Sequence, residues 1–232
     1  MTDKPAAKKK KSSTAAAEAQ GHKREKPKSD GDLKEAVLKA ALKDAAFDGF
    51  TDSVLAKAGK SVGADKAALT RLFPEGPISL IEFFSASVDA AMEERLKAQD
   101  LPKLKIRDRI KTAILTRLSL IAPNKEAARR AAALMTLPMH AGRAAKMMYN
   151  TVDAMWRAAG DTSTDFNFYT KRGILAGVYG SVLVRWFNDT GEDESATEDF
   201  LAARIENVMQ FEKFKAKAKE AFSKFPVWAK SK

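Results

Sequence analysis

An all-α fold is predicted by three features of the sequence. From Asp32 onward apolar residues recur at helical spacing nearly everywhere, while alternating period-two runs and hairpin turn pairs are missing. The helical segments are punctuated by FDGFTDS, AGKSVGADK, FPEGP, QDLPKLK, APNKE, LPMH and GDTSTD, each supplying Gly, Pro or capping residues. The result is about nine or ten helices with short connections. No internal repeat is present, and no apolar run is long enough to span a bilayer.

Composition limits the function classes. A chain of 232 residues, 45% hydrophobic and 8% aromatic, can bury one substantial core and reads as one domain with tails. The formal charge of +11 suggests a polyanionic partner, nucleic acid or an anionic membrane surface, without choosing between them. Cysteine is absent, which removes disulfides, thiolate metal sites and cysteine nucleophiles. His22 and His140 are the only histidines, so metal-ligand clusters and histidine bases have almost no material, and no cofactor is implied.

Residues 1–31 carry lysine runs, Pro5, Pro27 and scarcely any large apolar side chain, and are expected to be a disordered basic tail. Lys8 to Lys11 fit a solvated solubility tail better than a dedicated nucleic-acid arm. The tail lacks the apolar stretch of a secretory signal, and Asp3, Glu18 and Glu25 disfavour a mitochondrial presequence. The expectation is a bacterial cytosolic chain.

Residues 32–74 form three short helices. LKEAVLKAALKDAAFDGF ends near Gly49, TDSVLAKAG starts from a Thr51 or Asp52 cap, and GADKAALTRLFP follows a tight turn at Gly63. This layout resembles a TetR-type helix-turn-helix, whose third helix, Asp65 to Phe73, would enter the major groove. That helix offers only Lys66, Thr70 and Arg71 as contacts, so a shape kept for packing alone is at least as good a reading.

Residues 75–212 are expected to form the helical core. In FPEGPISLIEFFSASVDAAMEERL, Pro77 suits a first turn, and Ile78, Ile81, Phe83 or Phe84, Val88 and Met92 face inward. IRDRIKTAILTRLSLIA repeats the design with Arg and Lys on the opposite face. The next segment, HAGRAAKMMYNTVDAMWRAAG, sets Met139, Met147, Met148 and Met155 beside Tyr149 and Trp156, an arrangement that either fills gaps or lines an adaptable cavity.

A long helix follows from the Ser163 or Thr164 cap to Asn188. Asp165, Phe168, Tyr169 and Arg172 share one stripe at its head, with Asp165 and Arg172 placed to pair across two turns. Beyond them ILAGVYGSVLVRWF is apolar around most of its circumference, implying a buried central helix. Gly173, Gly177 and Gly180 are tolerable there if a neighbouring helix or a lipid chain approaches closely.

Residues 213–232 continue a lysine-rich segment in which Phe211, Phe214, Phe222, Phe225 and Trp228 interleave with Lys213, Lys215, Lys217, Lys219 and Lys224. Such a helix suits an anionic membrane surface, or closes over the core or a dimer partner; Pro226 would stop it.

MWRAAGDTSTDFNFYTKRGILAGVY, followed by FLAARIENVMQFEKFKA and preceded by the proline-bounded LFPEGPISLIEFF, resembles the coenzyme Q biosynthesis protein nine family over about residues 32 to 217. The resemblance implies a TetR-like fold that has given up DNA reading. It implies a non-enzymatic accessory protein of ubiquinone biosynthesis, peripheral at the inner membrane, that holds an isoprenoid quinone precursor or phospholipid and presents it to the pathway's hydroxylase. Phe84, Met147, Met148, Trp156 and Tyr179 are then the lipid-binding candidates. Met155, Asp165, Phe168, Tyr169 and Arg172 map onto the family's partner patch, with Phe168 standing where the family often carries tryptophan and so losing an N–H donor. The terminal helix becomes membrane-facing, a homodimer is expected, and nucleic acid is disfavoured as a partner. The alternative is a TetR-type ligand-responsive regulator.

Overall fold

The structure, a computed structural model, describes residues 1, 29–162, 166–191 and 194–224. The described residues form nine α-helices and no strand: α1 Asp30–Asp48, α2 Asp52–Val62, α3 Lys66–Leu72, α4 Pro77–Lys97, α5 Ile106–Ile121, α6 Lys125–Met135, α7 Ala141–Ala158, α8 Phe166–Phe187 and α9 Ser195–Lys224. Short 3-10 turns at Leu101–Lys103, Ala122–Asn124 and Pro138–His140 connect some of them. None of the described helices is long and apolar enough to cross a membrane.

Local chemistry sets the boundaries. Oxygens of Ser29, Thr51 and Asp65 accept from the backbone N–H of Asp32, Val54 and Ala68, capping α1, α2 and α3. Gly63 closes α2 in the left-handed region at φ 81°, where a side chain would be strained. The α2 and α3 helices approach so closely that a Cβ at Gly59 would lie 2.6 Å from a Leu69 methyl carbon. Pro77 opens α4. His140 sits half-buried at the start of α7 without a side-chain cap bond.

Packing joins neighbouring helices and also helices distant in the chain. α1 rests on α2 and on α6, which ties the three-helix head to the rest; α4 packs on α5 and α7, α7 on α8, and α8 on α9, while α5 also touches α7 and α9. The shared core includes Val37, Leu80, Ile81, Met92, Leu96, Ile114, Met155, Tyr179, Trp186 and Leu201, all nearly inaccessible. Each large apolar side chain so buried contributes roughly 1.5–3 kcal/mol.

Two expectations change. The α8 helix is not buried around most of its circumference: Leu175, Val178, Tyr179, Val182 and Trp186 face inward, but Gly173, Gly177 and Val184 are exposed. A Cβ at Gly173 or Gly177 would meet nothing within 4 Å, so none of the described elements needs those two glycines for close approach. The α9 helix runs without interruption past residue 212. The tail at 2–28 with His22, the caps Ser163 and Thr164, Asp165, Phe225, Pro226 and Trp228 lie outside the described residues, as does the side chain of Phe222.

Candidate functional site

The bundle leaves a cavity of about 500 Å³ between α4, α5, α6, α7 and α8, open on one side where Ala133, Val184 and Asn188 are exposed. The α6 helix contributes Ala128, Ala131, Ala132 and Ala133, whose methyl groups leave space between longer neighbours, beside Arg129 and Met135. Phe84 and Val88 from α4, Met147 and Met148 from α7, and Tyr179, Leu183 and Phe187 from α8 complete the mostly apolar wall. Gly180 adds room: a Cβ there would meet only the Met148 methyl, at 3.8 Å.

Four of the five residues expected to touch lipid, Phe84, Met147, Met148 and Tyr179, thus line one cavity. Trp156 does not. Its indole N–H donates to the Lys171 carbonyl at 3.2 Å and its ring lies under the Lys171 ammonium at 5.4 Å, at the α7–α8 corner.

One end of the cavity is polar, and sequence reasoning missed it. Arg117 on α5, expected with the solvent-facing cations, is 6% exposed. Its Nε donates to Asp89 Oδ1 at 2.6 Å, one terminal nitrogen donates to the Tyr179 hydroxyl, and the other to Ser85 Oγ at 2.9 Å and Thr151 Oγ1 at 3.4 Å. Thr151 in turn donates to Asp89 Oδ2 at 2.9 Å, so both carboxylate oxygens are used. Burial pushes the Tyr179 phenol up, and the Arg117 cation opposes that. Burial disfavours the Arg117 charge, yet Tyr179 and Asp89 hold its pKa above the ordinary value. The signal was register: Ser85, Val88, Asp89 and Met92 share one helical face, as do Ile110, Ala113, Ile114, Arg117, Leu118 and Ile121.

A larger groove of about 800 Å³ lies between α1, α4 and α7. Lys34, Glu82, Arg143 and Lys146 charge its walls, which makes it a poor seat for an apolar chain.

At the α7–α8 corner the expected patch splits. Tyr169 is 68% exposed and Phe168 half-buried, their rings meeting edge to face at 5.1 Å. Met155 is fully buried and Arg172 nearly so, so neither presents its side chain to a partner. Arg172 donates to Asp153 at 2.7 Å and Asp161 at 3.2 Å, and its guanidinium covers the Phe168 ring at 3.3 Å. Arg172 therefore fixes the α7–α8 turn and props up Phe168.

On α9, Phe211 and Phe214 are exposed beside exposed Lys213 and Lys217. On α3, Arg71 pairs with Asp30, and the Thr70 hydroxyl donates to the Lys66 carbonyl. Two of the three expected DNA contacts are therefore engaged within the chain.

Residues 141–212, spanning α7, α8 and α9 as far as residue 212, match the family model described as COQ9. The chain is 31% identical over 195 residues to the rat protein named ubiquinone biosynthesis protein COQ9, mitochondrial, covering 82% of this chain and 62% of that one. The human protein of the same name is 30% identical over 82% of this chain and 61% of its own, and a Dictyostelium discoideum relative, a probable ubiquinone biosynthesis protein, is 28% identical over 79% and 62%. The chain spans about three-fifths of the length of these relatives. Their names place those proteins in mitochondria, whereas the sequence alone suggested a bacterial cytoplasm. Among solved structures, a TetR transcriptional regulator from Nitrosomonas europaea aligns at a TM-score of 0.60 with 17% identity, over 75% of this chain and 95% of that one. The fold is TetR-like.

Proposed function

We infer that this chain belongs to the COQ9 family and acts in ubiquinone biosynthesis as a non-enzymatic, lipid-binding accessory protein. It takes up an isoprenoid quinone precursor and presents it to the pathway's membrane-associated hydroxylase. The observation that carries the reading is the cavity of about 500 Å³ with its wall of Phe84, Met147, Met148, Leu183 and Phe187. Its size falls among small-molecule sites, which run from about 300 to 1,000 Å³. Thioethers adapt to a long flexible chain at little cost in packing.

The other surfaces fit the same task. Exposed Tyr169, with Phe168 behind it, supplies an aromatic anchor for the hydroxylase. Exposed Phe211 and Phe214 beside Lys213 and Lys217 suit peripheral contact with an anionic inner membrane. Two copies are expected to associate.

Native mass spectrometry with lipid extraction, on protein purified from a bacterial host, tests the central point. Recovered isoprenoid quinone supports it, and phospholipid alone supports lipid binding without the pathway. An empty protein that binds a palindromic DNA site overturns it in favour of a regulator. Phe211→Glu with Phe214→Glu should weaken binding to anionic vesicles by at least about tenfold, given the apolar area removed. Unchanged vesicle binding would remove α9 from the membrane contact.

A further inference from the structure

The polar end of the cavity has a property that the apolar wall does not explain. Arg117 can only donate hydrogen bonds, so the oxygens of Tyr179 and Ser85 act as acceptors toward it. Each hydroxyl still carries its own hydrogen. Neither hydrogen finds an acceptor among the described residues, although Tyr179 is 1% exposed and both residues line the cavity. Asp89, the acceptor nearby, accepts from Arg117 and Thr151 and from neither of these hydroxyls. A buried donor without an acceptor is unfavourable, and a ligand oxygen placed there would relieve it.

We propose that the Tyr179 and Ser85 hydroxyls form a donor subsite that binds a carbonyl oxygen on the head of the lipid in this cavity. Arg117 holds both hydroxyls in the donating orientation. The proposal rests on the reading of the cavity as a lipid site and adds a direction to it. Tyr179 lies ten residues beyond Tyr169 on α8, about 15 Å along the axis at 1.5 Å per residue. Leu183 and Phe187 continue the apolar wall away from Tyr169, toward the exposed Val184 and Asn188. The head therefore sits at the end of the cavity nearer the aromatic anchor, and the tail runs toward the open side between α6 and the end of α8.

The test titrates the full chain with three probes: a ubiquinone bearing two isoprene units, a short-chain phosphatidylcholine, and farnesene, an isoprenoid hydrocarbon without oxygen. The wild type should prefer the quinone to farnesene. Tyr179→Phe and Ser85→Ala should each weaken quinone binding about fivefold to tenfold and leave farnesene unchanged. Selective weakening of phosphatidylcholine instead would identify an ester as the carbonyl and keep the subsite. If Tyr179→Phe loses farnesene as well, its cavity has collapsed, and Ser85→Ala, at a half-buried wall position, decides. Variants that bind both oxygenated probes like the wild type overturn the subsite, as does equal wild-type affinity for quinone and farnesene, while the lipid cavity stands in either case. A wild type that takes up no probe overturns the lipid reading and the subsite together.

Discussion

Two buried arginines anchor α8 and its neighbours, and they are finished differently. Arg172, on α8 itself, is enclosed by carboxylates: Asp153 and Asp161 accept from it, Arg157 and Lys171 share those two acids, and Arg157 reaches on to Glu93. Arg117, reaching Tyr179 seven residues farther along α8, has one carboxylate and three hydroxyls. The first arrangement balances charge against charge and closes the α7–α8 corner. The second leaves two hydroxyl hydrogens without an acceptor among the described residues, beside a cavity. A buried arginine surrounded by acids builds structure; one surrounded by hydroxyls can also present them to a ligand.

The largest expected effect lies at Arg117. Arg117→Met should destabilise the fold by about 3–5 kcal/mol, because Asp89 is left buried with only Thr151 as a hydrogen-bond partner. The double change Arg117→Met with Asp89→Leu should recover most of that, as removal of a whole buried pair is often close to neutral. Chemical denaturation reads both, and a double variant as unstable as the single would mean that packing, not charge, sets the site. Arg172→Met should cost less, about 1–3 kcal/mol, since Lys171 and Arg157 still serve its two acids. An equal loss at both positions would erase the distinction between them.

Gly180→Leu sharpens the functional half of the comparison. Helix propensity favours the change by about 0.8–1 kcal/mol, and a side chain there projects past Met148 into the cavity. Stability should hold or rise while co-purified lipid falls several-fold. Unchanged lipid content would move the ligand elsewhere.

The smallest effect concerns a carboxylate held mainly by a hydroxyl and backbone N–H donors. Asp189, at the α8–α9 turn, lies below the ordinary carboxylate range because the Thr197 hydroxyl and then the Gly191 N–H donate to it. A lowered folded pKa means stability that is fully present above about pH 5 and lost as the pH falls through and below about 3.9. Hydrogen exchange around Thr197 should therefore quicken on acidification. Thr197→Val should reduce that pH dependence, with the Gly191 N–H still in place.

The sequence by itself determined most helices and their ends, because caps, prolines and the 3.6-residue period act locally: Thr51, Asp65, Gly63 and Pro77 all do what their chemistry dictates, whereas α1 starts at Asp30 from a Ser29 cap, inside the stretch read as tail. It also picked out Phe84, Met147, Met148 and Tyr179, since large apolar residues in inward register belong to whatever the bundle encloses. Tertiary structure alone decided that α6 contributes alanines to that enclosure and so leaves a cavity. It turned Met155 and Arg172 inward, leaving Tyr169 out, and it left Gly173 and Gly177 exposed on α8. It also joined Ser85, Asp89, Arg117, Thr151 and Tyr179, which come from four helices and are separated by up to 94 positions in the chain. The period of a helix tells which residues point inward. It carries no information on which inward residues from distant helices will meet, and the chemistry of this cavity depends on that meeting.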